Sequence, residues 1–185
     1  MASRRDWLEA GLAVLGQDGA PALTIERLTG MLEVTKGSFY HHFKGMAGYR
    51  TALLEHYESE HTRRHIAEAE RAGASAEDRL HRLMELALAD KPGTDGLETA
   101  VRAWALQDPE VRRLQERVDR LRIDYLESLT AGLPGDDTAA PALARLLYLL
   151  LVGSQQLVPP LPAAELRDVY ALALRPALHR KAEHP

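Results

Sequence analysis

The sequence predicts an all-α protein. Apolar residues recur at three- and four-residue intervals along nearly every segment, and no run of alternating β-branched residues extends beyond a few positions. Ser or Thr stands ahead of several such segments, and Gly or Pro marks where they stop. At 185 residues, 45% of them hydrophobic, the chain can bury a substantial core as one domain or as a small head joined to a larger body.

The first helix is predicted to open after Ser3, whose hydroxyl can cap free amides while Asp6 sits in the first turn, where the helix dipole favours negative charge. Trp7, Leu8, Gly11, Leu12 and Leu15 share one face, and Gly19 with Pro21 ends the element. Thr24 caps a second, short helix with Ile25, Leu28, Met31 and Leu32 as its buried stripe. The chain turns after Glu33, and Thr35 caps a third short helix through Phe43. Gly45 and Gly48 bracket the start of a long fourth helix that carries Tyr49, Leu53 and Tyr57 to about residue 72.

Beyond Gly73 the elements lengthen. Residues 75 to 90 form a helix with Leu80, Leu83, Met84, Ala87 and Leu88 inward, and residues 97 to 106 form the next. Asp108 and Pro109, with Pro at the first helical position, open a long helix through Leu129. A loop over 133 to 137 leads to helices over about 139 to 157 and 164 to 180, separated by Pro159, Pro160, Leu161 and Pro162; Pro176 is expected to kink or end the last one. About nine helices result, divided into a head of residues 1–47 and a body of residues 48–185.

Composition narrows the chemistry. With no Cys there is no disulfide, thiolate nucleophile or Cys-ligated zinc, and a reducing cytoplasm fits. Asp6 and Glu9 interrupt the N-terminus before any signal-peptide run develops, and the apolar stretch from Leu146 to Val152 is far short of the roughly 20 residues a membrane span needs. The net charge is −4, yet residues 1–50 hold six Lys and Arg against five acids, so the acidity belongs to the body.

The stretch VTKGSFYHHFK, from Val34 to Lys44, divides cleanly by face. Phe39 and Phe43, four apart, continue the side on which Val34 enters, towards a small bundle with the first two helices. Lys36, Gly37, Tyr40, His41 and Lys44 fall on the other side, which contains no aliphatic residue. Two ammonium groups, a phenol, an imidazole and a glycine that admits a close backbone suit a helix laid against phosphates and base edges in a major groove. Thr24 can offer its hydroxyl, with free helix amides, to the same DNA backbone. Two short helices joined by a tight turn, the second with such a face, describe a helix-turn-helix.

On these residues, TIERL from Thr24 to Leu28 followed by VTKGSFYHHFK, the chain resembles the DNA-binding head of the tetracycline-repressor (TetR) family. The motif covers about a quarter of the chain; the remainder resembles the family in its helical layout. The resemblance implies a homodimeric, ligand-controlled transcriptional regulator, usually a repressor released by a small-molecule effector. It puts Thr24, Thr35, Lys36, Ser38, Tyr40, His42 and Lys44 at phosphates or in the helix that carries the contacts, with Gly37 and His41 nearest the bases. Glu33 stands where the family often has a turn glycine, and Met46 where it often has a phosphate-binding lysine, a loss that Lys44, Arg4 and Arg5 can offset. Those two departures and the acidic total also fit an alternative, a helical small-molecule-binding protein without DNA binding.

The resemblance also implies an effector pocket among the middle helices. Trp104, two residues after Arg102 on a helix rich in Ala, Val and Leu, is the leading candidate, with Met84, His81, Arg122, Tyr125 and Tyr148 as further ones. The last two helices carry apolar faces wider than one core contact requires: Leu143, Ala144, Leu146, Leu147, Leu150 and Leu151 on one, and Leu166, Val169, Tyr170, Ala173, Leu174, Ala177 and Leu178 on the other. A four-helix interface, two helices from each subunit, would cover them. His56, His61 and His65 follow helical spacing but alternate with Arg and Glu, which reads as a solvated face and not a metal site. Ser38 and His42 lack a third orienting group, so no catalytic constellation emerges. No cofactor and no enzymatic activity are expected.

Overall fold

The computed structural model describes residues 2–89, 96–134 and 137–179. Its helices are α1 (Arg4–Asp18), α2 (Ile25–Leu32), α3 (Lys36–His42), α4 (Met46–Glu58), α5 (Arg64–Glu70), α6 (Ala76–Leu88), α7 (Leu97–Ala105), α8 (Pro109–Ala131), α9 (Ala140–Gln156) and α10 (Ala163–His179). No strand occurs among the described residues, so the fold is all-α as predicted. Two compact units form, one from the described residues within 1–61 and 90–117, the other from those within 62–89 and 118–185.

The helix starts follow the local chemistry of the sequence. Ser3 Oγ accepts from the Asp6 N–H at 3.2 Å while the Ser3 N–H donates to Asp6 Oδ2 at 2.7 Å, a reciprocal capping box. Thr24 Oγ1 accepts from the Arg27 N–H at 3.1 Å, and Ser75 Oγ from the Asp78 N–H at 3.0 Å. Thr35 occupies the N-cap of α3, but its hydroxyl makes no capping bond; its carbonyl accepts from the Ser38 N–H at 3.0 Å instead.

In the first unit, α1 packs against α2, α4 and α7. Trp7, Leu12, Leu15, Leu28, Phe39, Tyr49, Leu53 and Val101 are the centre of this core. Gly11 permits the closest approach: a Cβ there would lie 1.9 Å from Tyr49 Oη and 3.0 Å from Leu53 Cδ1. Tyr49 Oη donates to the Trp7 carbonyl at 2.8 Å, and burial pushes its phenol well above the ordinary range, so it stays a neutral donor.

In the second unit, α5 packs on α6 and α9 on α10. Leu80, Leu88, Leu126, Leu129, Ala144, Leu147, Tyr148, Leu166, Tyr170 and Leu174 form its core. Leu83, Met84, Leu143, Leu150, Leu151, Val169, Ala173, Ala177 and Leu178 pack around that centre, half-buried. Thr130 Oγ1 ties α8 to the start of α9 by donating to the Ala140 carbonyl at 2.9 Å.

Three expectations are corrected. The long fourth helix is interrupted by a π-helical turn over Ser59–Arg63, whose extra residue per turn carries Thr62 inward to accept from Arg122 Nε at 3.0 Å. Met31 is 47% exposed, because α2 is covered on the Leu28 side alone. The third helix ends at His42, with Phe43 extended as its C-cap. Pro176 stands three residues before the last described residue of α10, His179; its missing N–H falls on a face where Leu172, Arg175 and Pro176 are exposed and water can replace the lost bond.

Glu33 adopts φ 54° and ψ 42°, the left-handed region, as the C-cap of α2. A Cβ makes that conformation costly by about 1 kcal/mol, so Glu33→Gly is expected to raise the unfolding free energy by roughly that amount in urea titration. Gly11→Ala is expected to lower it by about 1–3 kcal/mol, since Tyr49 must leave its bond to Trp7 to make room.

A candidate nucleic-acid interface on the third helix

The path from α2 to α3 is fixed by backbone bonds. The left-handed Glu33 lets the Val34 N–H return to the Thr29 carbonyl at 3.1 Å, which closes the turn and sets the direction of α3. Four rings then anchor α3 from beneath. Phe39 meets Trp7 edge-on at 5.4 Å and Tyr49 at 5.4 Å, and Phe43 meets Tyr49 edge-on at 4.9 Å. Phe39 and Phe43 are 0% and 4% exposed, so neither can slide outward without opening this cluster.

With that face fixed, the polar one is presented outward. Thr35, Lys36, Gly37, Tyr40, His41 and Lys44 are exposed, and Ser38 and His42 are half-buried. Tyr40 is 59% exposed although its ring meets Phe39 in a T-shaped pair at 5.6 Å. A Cβ on Gly37 would meet only Thr35 Oγ1 at 3.6 Å, an ordinary contact. The head's own packing therefore does not require glycine there. His42 is turned back, with Nε2 3.0 Å from the Ala2 carbonyl, and so supports the N-terminus as well as flanking the exposed face.

Lys36, on the exposed face, forms a close ion pair with Glu26 in the first turn of α2. The hydrogen bond from Lys36 holds the Glu26 carboxyl below the ordinary range, and the bond to Glu26 raises the Lys36 ammonium. Sequence reading missed this partnership because the two residues are ten apart and the turn decides whether they meet. Arg27 is similarly paired with Asp18 at 2.9 Å. Of the cations that could offset Met46, Arg4 lies over the Phe43 ring at 5.5 Å and Arg5 bridges Glu9 and Glu60, each at 3.5 Å. Met46 itself is the half-buried first residue of α4.

The effector candidates do not form a single constellation. Trp104 lies in the first unit, where its neighbour is Arg50, with the guanidinium carbon 4.8 Å from the ring centre. Arg50 also pairs closely with Asp108. Burial opposes ionisation of Asp108, but bonds from the Glu110 and Val111 N–H groups and from Arg50 outweigh it and hold the carboxyl below its usual range. In the sequence Asp108 was legible only as a helix cap, and Arg50 carried no signal. The other candidates belong to the second unit. Arg122 donates to Thr62, Tyr125 Oη donates to Glu70 Oε1 at 2.7 Å, and Tyr148 Oη donates to Asp119 Oδ1 at 2.7 Å. His81 is exposed beside Glu85, and Met84 is half-buried.

His56 bonds Glu9 at 3.1 Å and His61 stacks on Tyr57 at 5.5 Å, and no cluster of three metal-ligating side chains occurs among the described residues. No described helix is long and apolar enough to cross a membrane.

Comparison with known proteins agrees with this geometry. Residues 8–52 match the family described as bacterial regulatory proteins, tetR family. A TetR-family transcriptional regulator from Streptomyces coelicolor shares the fold with a TM-score of 0.77 at 21% identity, covering 94% of this chain and 95% of that one. A TetR transcriptional regulator from Legionella pneumophila gives 0.77 at 14% identity, covering 95% and 97%. A proposed transcriptional regulator from Saccharomonospora viridis, solved in complex with choline, gives 0.77 at 21% identity and covers 98% of both chains. No curated protein sequence matches significantly.

The Glu26–Lys36 pair gives a pH test. A carboxyl with a depressed folded-state pKa contributes above its unfolded value and loses that contribution as pH falls through the folded one, so the pair should persist on acidification past the point at which a free glutamate protonates. An NMR titration of Glu26 is expected to show an apparent pKa below that of free glutamate, returning towards it in Lys36→Ala.

Proposed function

We propose that this chain, a member of the tetR family of bacterial regulatory proteins by its head sequence and its whole-chain fold, is a ligand-responsive DNA-binding transcriptional regulator, specifically a repressor acting in the cytoplasm. One observation carries the DNA-binding role. On the side away from Phe39, α3 leaves Lys36, Gly37, Tyr40 and His41 exposed, and Lys44 is exposed just beyond its end, without one aliphatic side chain among them. In a major groove, Gly37 and His41 would lie nearest the bases, while Tyr40, Lys44, Thr24, Thr35 and Ser38 would meet phosphates and His42 would hold the helix in place. Lys36 would exchange Glu26 for the nucleic acid.

A homodimer on a palindromic operator is the matching assembly. α9 and α10 bury Leu147, Leu166, Tyr170 and Leu174, yet Leu146, Leu149 and Leu172 remain 44%, 66% and 62% exposed on the same two helices. An apolar surface of that kind calls for a partner, and a second copy would cover it symmetrically. Release by a small-molecule effector follows the family's mode of control, as a coupling free energy between two sites. The choline complex of the Saccharomonospora protein shows a small organic ligand bound to a protein of this fold and supports the effector role.

The test is fluorescence anisotropy with duplex DNA from upstream of the chain's own gene. Salt-dependent binding is expected, and Tyr40→Ala is expected to weaken it by about 1–3 kcal/mol. Lys36→Ala should weaken binding and flatten the slope of log affinity against log salt by roughly one unit per head. Glu26→Gln, which frees Lys36, should tighten binding about two- to fivefold. Absence of salt-dependent binding, with none of these substitutions mattering, would instead identify a small-molecule-binding protein without DNA binding.

A further inference from the structure

A cleft of about 420 Å³ opens in the first unit, within the size range of small-ligand sites. Pro21 and Leu23 from the α1–α2 connection, Ala103 and Trp104 from α7, Arg50 from α4 and Asp108 at the cap of α8 line it. Its lining combines small apolar residues and Trp104 with three polar side chains, Gln107 and the pair of Arg50 and Asp108, in which the Arg50 guanidinium lies over the Trp104 ring. Pro21 and the 3₁₀ turn over Ala20–Ala22 stiffen the part of the lining that the α1–α2 connection supplies.

The charge of a fitting ligand follows from the hydrogen-bond capacity of that end. Asp108 Oδ1 already accepts from the Glu110 and Val111 N–H groups, at 2.9 and 3.4 Å, and Oδ2 accepts from Arg50. Arg50 engages Asp108 through one terminal nitrogen, while a guanidinium carries five N–H donors in a fork suited to a carboxylate. The place a ligand cation would take on the Trp104 ring is already filled by Arg50 itself. At the Arg50–Asp108 pair donors are in surplus and acceptors are not, while Gln107, also on the lining, can donate or accept. An anion adds bonds without displacing the helix cap, whereas a cation must expel Arg50 and compete for a carboxylate whose two oxygens are both engaged.

We propose that this cleft binds a small organic carboxylate with a compact apolar body, the carboxylate taking Arg50 and the body lying on Pro21, Leu23 and Ala103. Arg50 is one residue beyond Tyr49, the residue that holds Trp7, Phe39 and Phe43 in register. A ligand that draws Arg50 from Asp108 thus acts on the helix that supports α3. This consequence for DNA rests on the regulator reading; binding in the cleft does not, and is measured on the protein alone.

The chain has two tryptophans, so Trp7→Phe leaves Trp104 as the sole indole reporter. Trp7 Nε1 has no hydrogen-bond partner among the described residues, so this substitution leaves no acceptor orphaned. Benzoate, benzylammonium and benzyl alcohol are titrated at constant ionic strength, with calorimetry on the unsubstituted chain as the parallel readout should Trp7→Phe not fold. Saturable binding of benzoate in the low millimolar range is expected, with benzylammonium and benzyl alcohol at least tenfold weaker. Arg50→Gln should abolish the preference for benzoate. Asp108→Asn keeps a good helix cap but releases Arg50, and should tighten benzoate about two- to fivefold. Equal response to the three probes, no saturation by benzoate, or a benzoate response unchanged in Arg50→Gln would overturn the proposal. Since no DNA enters these titrations, benzoate binding without any operator binding would instead count against the regulator reading alone.

Discussion

The aromatic cluster of Trp7, Phe39, Phe43 and Tyr49 is the constraint on which the head depends. Four rings from three segments lock together, and the Tyr49 hydroxyl closes the arrangement on the Trp7 carbonyl. Because Phe39 is buried from within α3 and Phe43 is buried at its C-cap, the helix is pinned both along its length and at its end, which leaves it a single orientation. The polar face is then outward by necessity. Gly11 makes the approach of α4 to α1 possible, so a position with no functional group of its own governs where the functional groups point.

Charge in the first unit is arranged in pairs that an anionic ligand would have to rearrange. Lys36 rests on Glu26, Arg27 on Asp18, and Arg50 on Asp108. Such exposed or part-exposed pairs each contribute little to stability, typically under about 1 kcal/mol, so a phosphate or carboxylate can replace one partner at small cost. That makes the pairs poor struts and good contact points. Asp108 differs from the others because it also caps α8, which fixes its carboxylate and leaves Arg50 as the group free to change partner.

The second unit solves a different problem. Its helices bury a mainly leucine core while satisfying polar groups through long-range bonds: Arg122 to Thr62, Tyr125 to Glu70 and Tyr148 to Asp119. These bonds join segments far apart in the chain; those of Arg122 and Tyr148 are part-buried, where losing a partner is costly, while that of Tyr125 is exposed and water can replace it. The apolar side chains left exposed on α9 and α10 are the complement of that economy, since a core of this size cannot cover both sides of two apolar helices.

Much of the fold was legible because it is written in local chemistry. The caps at Ser3, Thr24 and Ser75, the stop at Gly19, the start at Pro109 and the two faces of α3 all depend on residues within about one or two helical turns, and those spacings are visible in any sequence. The π-helical turn at Ser59–Arg63, the exposure of Met31 and the tolerance of Pro176 depend on which neighbours cover a helix, which spacing does not record. The same holds at the candidate sites. The sequence by itself determined which side chains α3 would turn outward, because a helix fixes its own faces. Only the tertiary structure decided that Lys36 meets Glu26 and that Arg50 lies between Trp104 and Asp108, because those contacts join residues 10, 54 and 58 positions apart and exist only once separate helices have packed.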